Sequence, residues 1–163
     1  MRPRLIAAAT LALAAGGCGG SAPDANAGGH VRVERAAART AGIMDEPGRA
    51  EYCPADSLLT IIAVGHDRGA GFAVKTALPL QGAGSFLVRP QLGGVGTATA
   101  AFRLASGTAR VGTSGTIRLQ ESGSVSGTFD VAVPDTGRTP VRFRGTLARI
   151  PLRPGIPASC PHR

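Results

Sequence analysis

Apolar and polar residues alternate with a period of two through most of the chain after Leu58, which is the pattern of strands with one buried face. Glycine-rich breaks separate the alternating runs. The candidate strands are 58 to 65, 70 to 77, 84 to 88, 97 to 104, 114 to 120, 124 to 133 and 139 to 150. The pattern predicts a mainly β chain, folded as a single small antiparallel β-sandwich or barrel of about seven strands.

The last three runs predict a meander with one apolar face. Inward positions are Ile117, Leu119, Val125, Phe129, Val131, Val133, Val141, Phe143 and Leu147. Outward positions are Arg118, Thr128, Asp130, Arg142 and Arg144. The turn at 134 to 137 sets Asp130 across from Arg142 or Arg144. On an exposed strand face such a contact is usually a solvated ion pair worth 0 to about 1 kcal/mol, and we interpret it so.

Five of the candidate strands carry one phenylalanine each, and these are Phe72, Phe86, Phe102, Phe129 and Phe143. We predict that their rings form one layer of the core. Aromatic residues are only 4% of the chain, so the rest of the core must be Val, Leu, Ile and Ala. The shortage also argues against a platform that stacks single-stranded nucleic acid, and no nucleic-acid partner is expected.

Residues 31 to 44 follow a helical period instead. Their apolar face is Val33, Ala36, Ala37, Thr40, Ala41 and Met44, and their basic face is Arg32, Arg35 and Arg39. This spacing predicts one short amphipathic N-terminal helix and a linker over 31 to 50, before a β domain with a Pro-rich tail over 51 to 163. A strand through Val31 and Val33 is the alternative.

The run 58 to 64, LLTIIAV, is apolar on both strand faces, so its second face needs a cover. The predicted helix is the nearest candidate, and a partner protein or a second sheet would also serve.

The first seventeen residues have the order of an export signal. Arg2 and Arg4 precede an uncharged apolar run over 5 to 15, and small residues follow. Eleven apolar residues are too few to cross a bilayer, which takes about 20 residues as a helix. We therefore predict a signal peptide over 1 to 17.

The segment Ala15-Gly16-Gly17-Cys18 resembles the lipobox of bacterial lipoproteins, although Ala15 stands where that family favours Leu. The resemblance implies cleavage before Cys18 and a lipid on its thiol. Gly19 after it implies sorting to the outer membrane, facing the periplasm. Residues 18 to 30 would then be the lipidated cysteine and a flexible Gly-rich tether. The alternative is an ordinary secreted protein with an unpaired cysteine.

With Cys18 lipidated, Cys53 and Cys160 remain as an even pair. Exported proteins lie in an oxidising compartment, so we predict a structural disulfide between them. The chain has no Cys-x-x-Cys, and its three histidines show no ligand spacing. No metal and no cofactor are expected.

Net charge and short sequence motifs say little about the function of the chain. The 18 basic residues exceed the 10 acidic ones by eight, but they are scattered, which favours compositional bias over a dedicated anionic partner such as phospholipid or lipopolysaccharide. The catalytic candidate is His66 beside Asp67, although Gly-flanked His-Asp is ordinary turn chemistry.

The sequence thus predicts a cell-envelope protein, held to the membrane through its lipid anchor, that acts as a non-enzymatic binding or interaction domain for an envelope protein or an apolar ligand. The alternative is a small envelope enzyme or enzyme inhibitor with a loop-built site around His66. A cavity lined by the phenylalanines would indicate an apolar ligand, and a filled core would indicate surface recognition.

Overall fold

A computed structural model of the chain describes residues 28–36, 44–66, 70–77, 83–103, 107–134, 139–155 and 160. The described residues form ten strands and a single 3-10 turn at Pro54–Asp56. The strands are β1 His30–Arg35, β2 Met44–Cys53, β3 Leu58–Val64, β4 Gly71–Ala77, β5 Ala83–Val88, β6 Thr97–Arg103, β7 Arg110–Val111, β8 Ser114–Glu121, β9 Ser124–Val133 and β10 Val141–Pro154.

Nine of these strands close into a barrel. Their order is β4-β3-β2-β1-β10-β9-β8-β5-β6, and β6 returns to pair with β4. The pairs are antiparallel except β5 with β6, and the last residues of β10 also run parallel to β2. The short β7 adds to the sheet beside β6. Closure satisfies the backbone groups that an open sheet would expose at its edges.

The predicted mainly β fold is confirmed, and the barrel is the correct one of the two architectures. The seven predicted strands correspond to β3, β4, β5, β6, β8, β9 and β10, with small shifts at their ends. The β8–β9–β10 meander has the predicted inward and outward faces.

The predicted N-terminal helix is wrong for the residues that the structure describes there. His30–Arg35 is β1, and β2 begins at Met44. Val31 and Val33 are buried inside the barrel, whereas Arg32 points outward. The strand forms because β1 lies between β10 and β2 and pairs with both, a tertiary contact that outweighs the local helical period. The barrel therefore starts at His30 rather than at residue 51.

Four of the five phenylalanine rings pack together at the centre of the barrel. Phe72 stacks on Phe129 with ring centroids 4.8 Å apart, and Phe102 stacks on Phe143 at 4.7 Å. Phe102 also meets Phe72 and Phe129 at 5.4 and 5.9 Å. Phe86 is buried, but the described ring contacts do not include it. The predicted ring layer is therefore correct for four residues, and side chains fill the centre.

Glycines at inward strand positions make room for these rings. A Cβ at Gly145 would collide with the ring of Phe129 and with the carbonyl of Arg32. At Gly84 it would lie 2.7 Å from the ring of Phe86. Small and large residues thus alternate around the interior, as a narrow barrel requires.

Substitution of Gly145 by alanine is therefore expected to destabilise the protein by about 1 to 3 kcal/mol, because backbone or ring must shift to admit the methyl group. Urea unfolding measures the change. The matched control is Gly94→Ala, since a Cβ at Gly94 meets nothing within 4 Å. Equal stability of the two variants would contradict the packing described for Phe129.

The second face of β3 is covered only at one end. Leu59, Ile61 and Ala63 face the interior, and the outward Leu58 is buried beside Cys53, its register partner on β2. At the other end Val64 is 61% exposed. The described residues 31 to 35 of the predicted covering helix form β1 of the sheet instead, and residues 37 to 43 lie outside the described residues.

The predicted disulfide between Cys53 and Cys160 is present. It joins the end of β2 to the segment after β10, with the two Cα atoms 5.6 Å apart and a sequence separation of 107. Beside it the Gly155 N–H donates to the carbonyl of Tyr52 at 2.7 Å. The bond thus holds the C-terminal segment against the end of β2.

Removing this bond with Cys53→Ser is expected to cost about 4 to 5 kcal/mol, the entropy that so long a closed loop removes from the unfolded chain. Chemical denaturation of oxidised wild type, reduced wild type and the variant gives the comparison. Reduced wild type and Cys53→Ser are expected to coincide. A reduced protein as stable as the oxidised one would contradict this account.

Candidate functional site

The catalytic candidate His66 lies on the surface just after β3. Its Nδ1 is 3.3 Å from Oε2 of Glu46, and its backbone N–H donates to Oε1 of the same carboxylate at 3.1 Å. The His66 side chain is 91% exposed. Asp67 and Arg68 lie outside the described residues. The contact links the connection after β3 to β2, and the His66 ring is exposed to solvent.

A more substantial cluster lies on the outer face of β9 and β10. Arg142 donates its Nε to Oδ1 of Asp130 at 2.9 Å, and Arg144 donates its Nε to Oδ2 at 3.0 Å. The sequence predicted a contact with one arginine or the other, and the structure brings both together. The reason is register, because Asp130 lies directly opposite Arg144 and diagonally from Arg142.

Opposing effects act on the pKa of Asp130. Partial burial raises it, but the hydrogen bonds and positive charges of Arg142 and Arg144 outweigh burial and hold the pKa below its ordinary value. The carboxylate therefore stays ionised at neutral pH and holds both guanidinium groups against the sheet.

A groove of about 460 Å³ opens next to this cluster, across the outer faces of β1, β10 and β9. It is lined by Arg32, Glu34, Thr128, Phe129, Arg144, Gly145 and Thr146. Thr146 is the register partner of Thr128 on one side and of Arg32 on the other. Two hydroxyl groups thus occupy the middle of the groove, with arginines beside them.

The charges around this groove do not cancel. Arg32 is paired with Glu34, its Nη2 lying 2.8 Å from Oε1. Arg118 is the register partner of Thr128 on β8, and within the described part of the chain it has no ion-pair partner. Four arginines and three carboxylates make up the face, and they are Arg32, Arg118, Arg142, Arg144, Glu34, Asp45 and Asp130. An excess of one positive charge results.

Sequence reasoning missed this groove because it placed Arg32 in a helix. The signal that could have found it is the alternation over 30 to 33, His-Val-Arg-Val, which puts Arg32 on the polar face of a strand. Its neighbours on β10, however, follow from the pairing of β1 with β10, since more than a hundred residues separate Arg32 from Arg144.

A second, apolar groove of about 260 Å³ lies on the far side of the barrel, along β3, β4 and β6. Ile62, Ala73 and Ala101 form its outward row by strand register, and Val64 borders it. Phe72 and Phe102 contribute to its wall, but their rings pack on one another and on Phe129 instead of around an internal cavity. Mutual contact of the four described rings favours surface recognition over an apolar ligand held between them.

Comparison with protein-family models, with curated proteins and with solved structures finds no match to this chain. Among the described residues no three His, Cys, Asp or Glu side chains gather closely enough to hold a metal ion. In the same part of the chain no helix has the length and apolar character needed to cross a membrane.

Replacing Asp130 with asparagine is expected to lower stability at neutral pH by no more than about 1 kcal/mol, since solvent screens this exposed cluster. A carboxyl whose pKa is lowered by folding contributes stability above its unfolded pKa, and that contribution is lost as the pH falls through the folded value. The difference between wild type and Asp130→Asn should therefore disappear in acid. Urea unfolding at both pH values tests this, and a difference that grows in acid would contradict it.

Proposed function

We propose that this chain is an exported, lipid-anchored envelope protein whose barrel recognises a partner with its outer surface. The observation that carries the proposal is the Cys53–Cys160 disulfide. It accounts for two of the three cysteines, and the third is Cys18 in the lipobox-like segment. A structural disulfide also suits an oxidising compartment outside the cytoplasm.

Recognition by the surface, without catalysis, is supported by how the barrel uses its interior. The stacked phenylalanine rings occupy the centre, so a partner would meet the outer face. The groove beside Asp130 combines shape, hydroxyl groups and uncompensated charge there. The alternative, an enzyme or inhibitor built around His66, has less support because that side chain is open to solvent and its described carboxylate contact is a surface tie to β2.

Membrane attachment would follow from acyl chains on Cys18. Each buried CH₂ contributes about 0.8 kcal/mol to membrane affinity, and stable attachment takes more than one chain. Gly19 after the lipidated residue favours the outer membrane in a bacterium that has one, with the barrel in the periplasm. Residues 19 to 27 then connect the anchor to the barrel as a Gly-rich tether.

Expression of the full precursor in a diderm bacterium fed labelled palmitate tests the anchor. Wild type is expected to carry label, to lose residues 1 to 17 and to fractionate with the outer membrane. Cys18→Ser is expected to lose the label and to accumulate as uncleaved precursor. Ser21→Ala is the control, since it alters the same segment without removing the thiol.

Label retained by Cys18→Ser, or wild type without label in the soluble periplasmic fraction, would refute the anchor. Native mass spectrometry of the mature protein then examines recognition. A co-purifying apolar molecule held inside the barrel would contradict the filled core.

A further inference from the structure

We infer that the groove across β1, β10 and β9 binds a phosphate group carried on a sugar or glycerol. This deepens the proposed function and rests on it, since it names the ligand class that the outer face would recognise. The groove brings together the side chains of Arg32, Arg144, Thr128 and Thr146.

The donors suit an oxyanion. An arginine guanidinium is a planar fork of N–H groups that matches phosphate oxygens and stays charged at every physiological pH. Arg144 contacts Asp130 through its Nε at 3.0 Å, and a guanidinium carries more N–H donors than one carboxylate oxygen can occupy. The Arg144 side chain is 62% exposed, so a ligand can reach it. Asp130 therefore orients this guanidinium without using up its donors.

The arrangement of donors favours phosphate over a carboxylate. Register places Arg118, Thr128, Thr146 and Arg32 in one row across four strands. Neighbouring strands lie about 4.8 Å apart, so the two arginines of this row have backbones about 14 Å apart with the threonines between them. At the Arg32 end of this row, donors on β1 and on β10 approach an anion from two strands. A phosphate ester presents oxygens in several directions, whereas a planar carboxylate presents one edge.

The same row also explains why the phosphate would be carried on a sugar or glycerol. With the anion at Arg32, Arg144 and Thr146, the groove continues across β10 to Thr128 on β9. Hydroxyl groups of a sugar or glycerol would meet Thr128 there. A volume of about 460 Å³ accommodates a ligand of that size.

Stability alone does not account for such a cluster. Exposed ion pairs on a sheet contribute little, and two arginines held by one carboxylate leave positive charge uncompensated. Two carboxylates reduce the positive charge at the groove. Glu34 lies opposite Arg144 and is paired with Arg32, and Asp45 on β2 is the other register partner of Arg32. Neutralising Glu34 should therefore improve anion binding.

The test titrates the mature lipidated protein, purified in neutral detergent, with glycerol 1-phosphate and glucose 1-phosphate by calorimetry. Arg144→Gln and Arg32→Gln are each expected to weaken binding about tenfold, and Glu34→Gln to tighten it about threefold. Arg89→Gln is the matched control, because it removes one positive charge from β5's end, away from the groove, and should leave affinity unchanged.

A second arm separates a lipid headgroup from a soluble phosphate. The lipidated protein is placed in phosphatidylcholine vesicles with or without phosphatidylglycerol, and hydrogen exchange of 126 to 131 and 143 to 147 is followed. Protection by phosphatidylglycerol that Arg144→Gln abolishes identifies the lipid source. Binding of soluble esters without such protection identifies a free or glycan-borne phosphate.

Two results overturn the inference. One is the absence of binding in both arms, and the other is equal loss of affinity in Arg144→Gln and Arg89→Gln, which would mean attraction by net charge alone. Absence of lipid on Cys18 is detected separately, from the mass of the purified protein and the palmitate label. A protein that lacks lipid but binds the esters through Arg144 leaves this inference standing and refutes the anchor.

Discussion

The contact between Phe129 and Gly145 connects the core of the barrel to the groove on its surface. The ring of Phe129 belongs to the central aromatic cluster, and it occupies the space that a side chain on Gly145 would need. Both residues also line the groove. Because the ring packs over the glycine, β9 and β10 keep the register that places Thr128 beside Thr146 and Asp130 beside Arg144. Core packing and surface chemistry thus depend on one another.

Electrostatic interactions then orient the side chains on the outer face of β9 and β10. Asp130 remains ionised because two guanidinium groups outweigh the cost of partial burial. The benefit to stability is small, since the cluster is open to solvent. Its larger effect is geometric, as one carboxylate fixes the direction of two long side chains that would otherwise sample many rotamers. Order of this kind lowers the entropy lost when a ligand binds.

The two ends of the described chain are secured in different ways. β1 enters between β10 and β2 and is held by hydrogen bonds on both sides. The segment after β10 is held by the Cys53–Cys160 bond and by the contact of Gly155 with Tyr52. In the proposed arrangement the tether from Cys18 is therefore connected to β1, a strand that is paired on both edges within the sheet.

The sequence by itself determined the strand content and most strand positions, because alternation with a period of two is a local property of each segment. It also predicted the disulfide partners, because two cysteines remained once Cys18 was assigned to the lipobox-like segment, and it placed Asp130 near Arg142 or Arg144 through a single turn. All of these depend on contacts that are near in sequence or on simple counting.

Only the tertiary structure decided the rest. Residues 30 to 35 became β1 because β10 and β2 offered partners on both edges, and no local pattern reports partners more than a hundred residues away. Closure of β6 on β4 selected a barrel over a sandwich. The groove followed from another long-range pairing, since Arg32 and Arg144 become neighbours only when β1 pairs with β10. The physical reason is that strand pairing is non-local, so alternation reveals which face of a strand is polar but not which polar faces will meet.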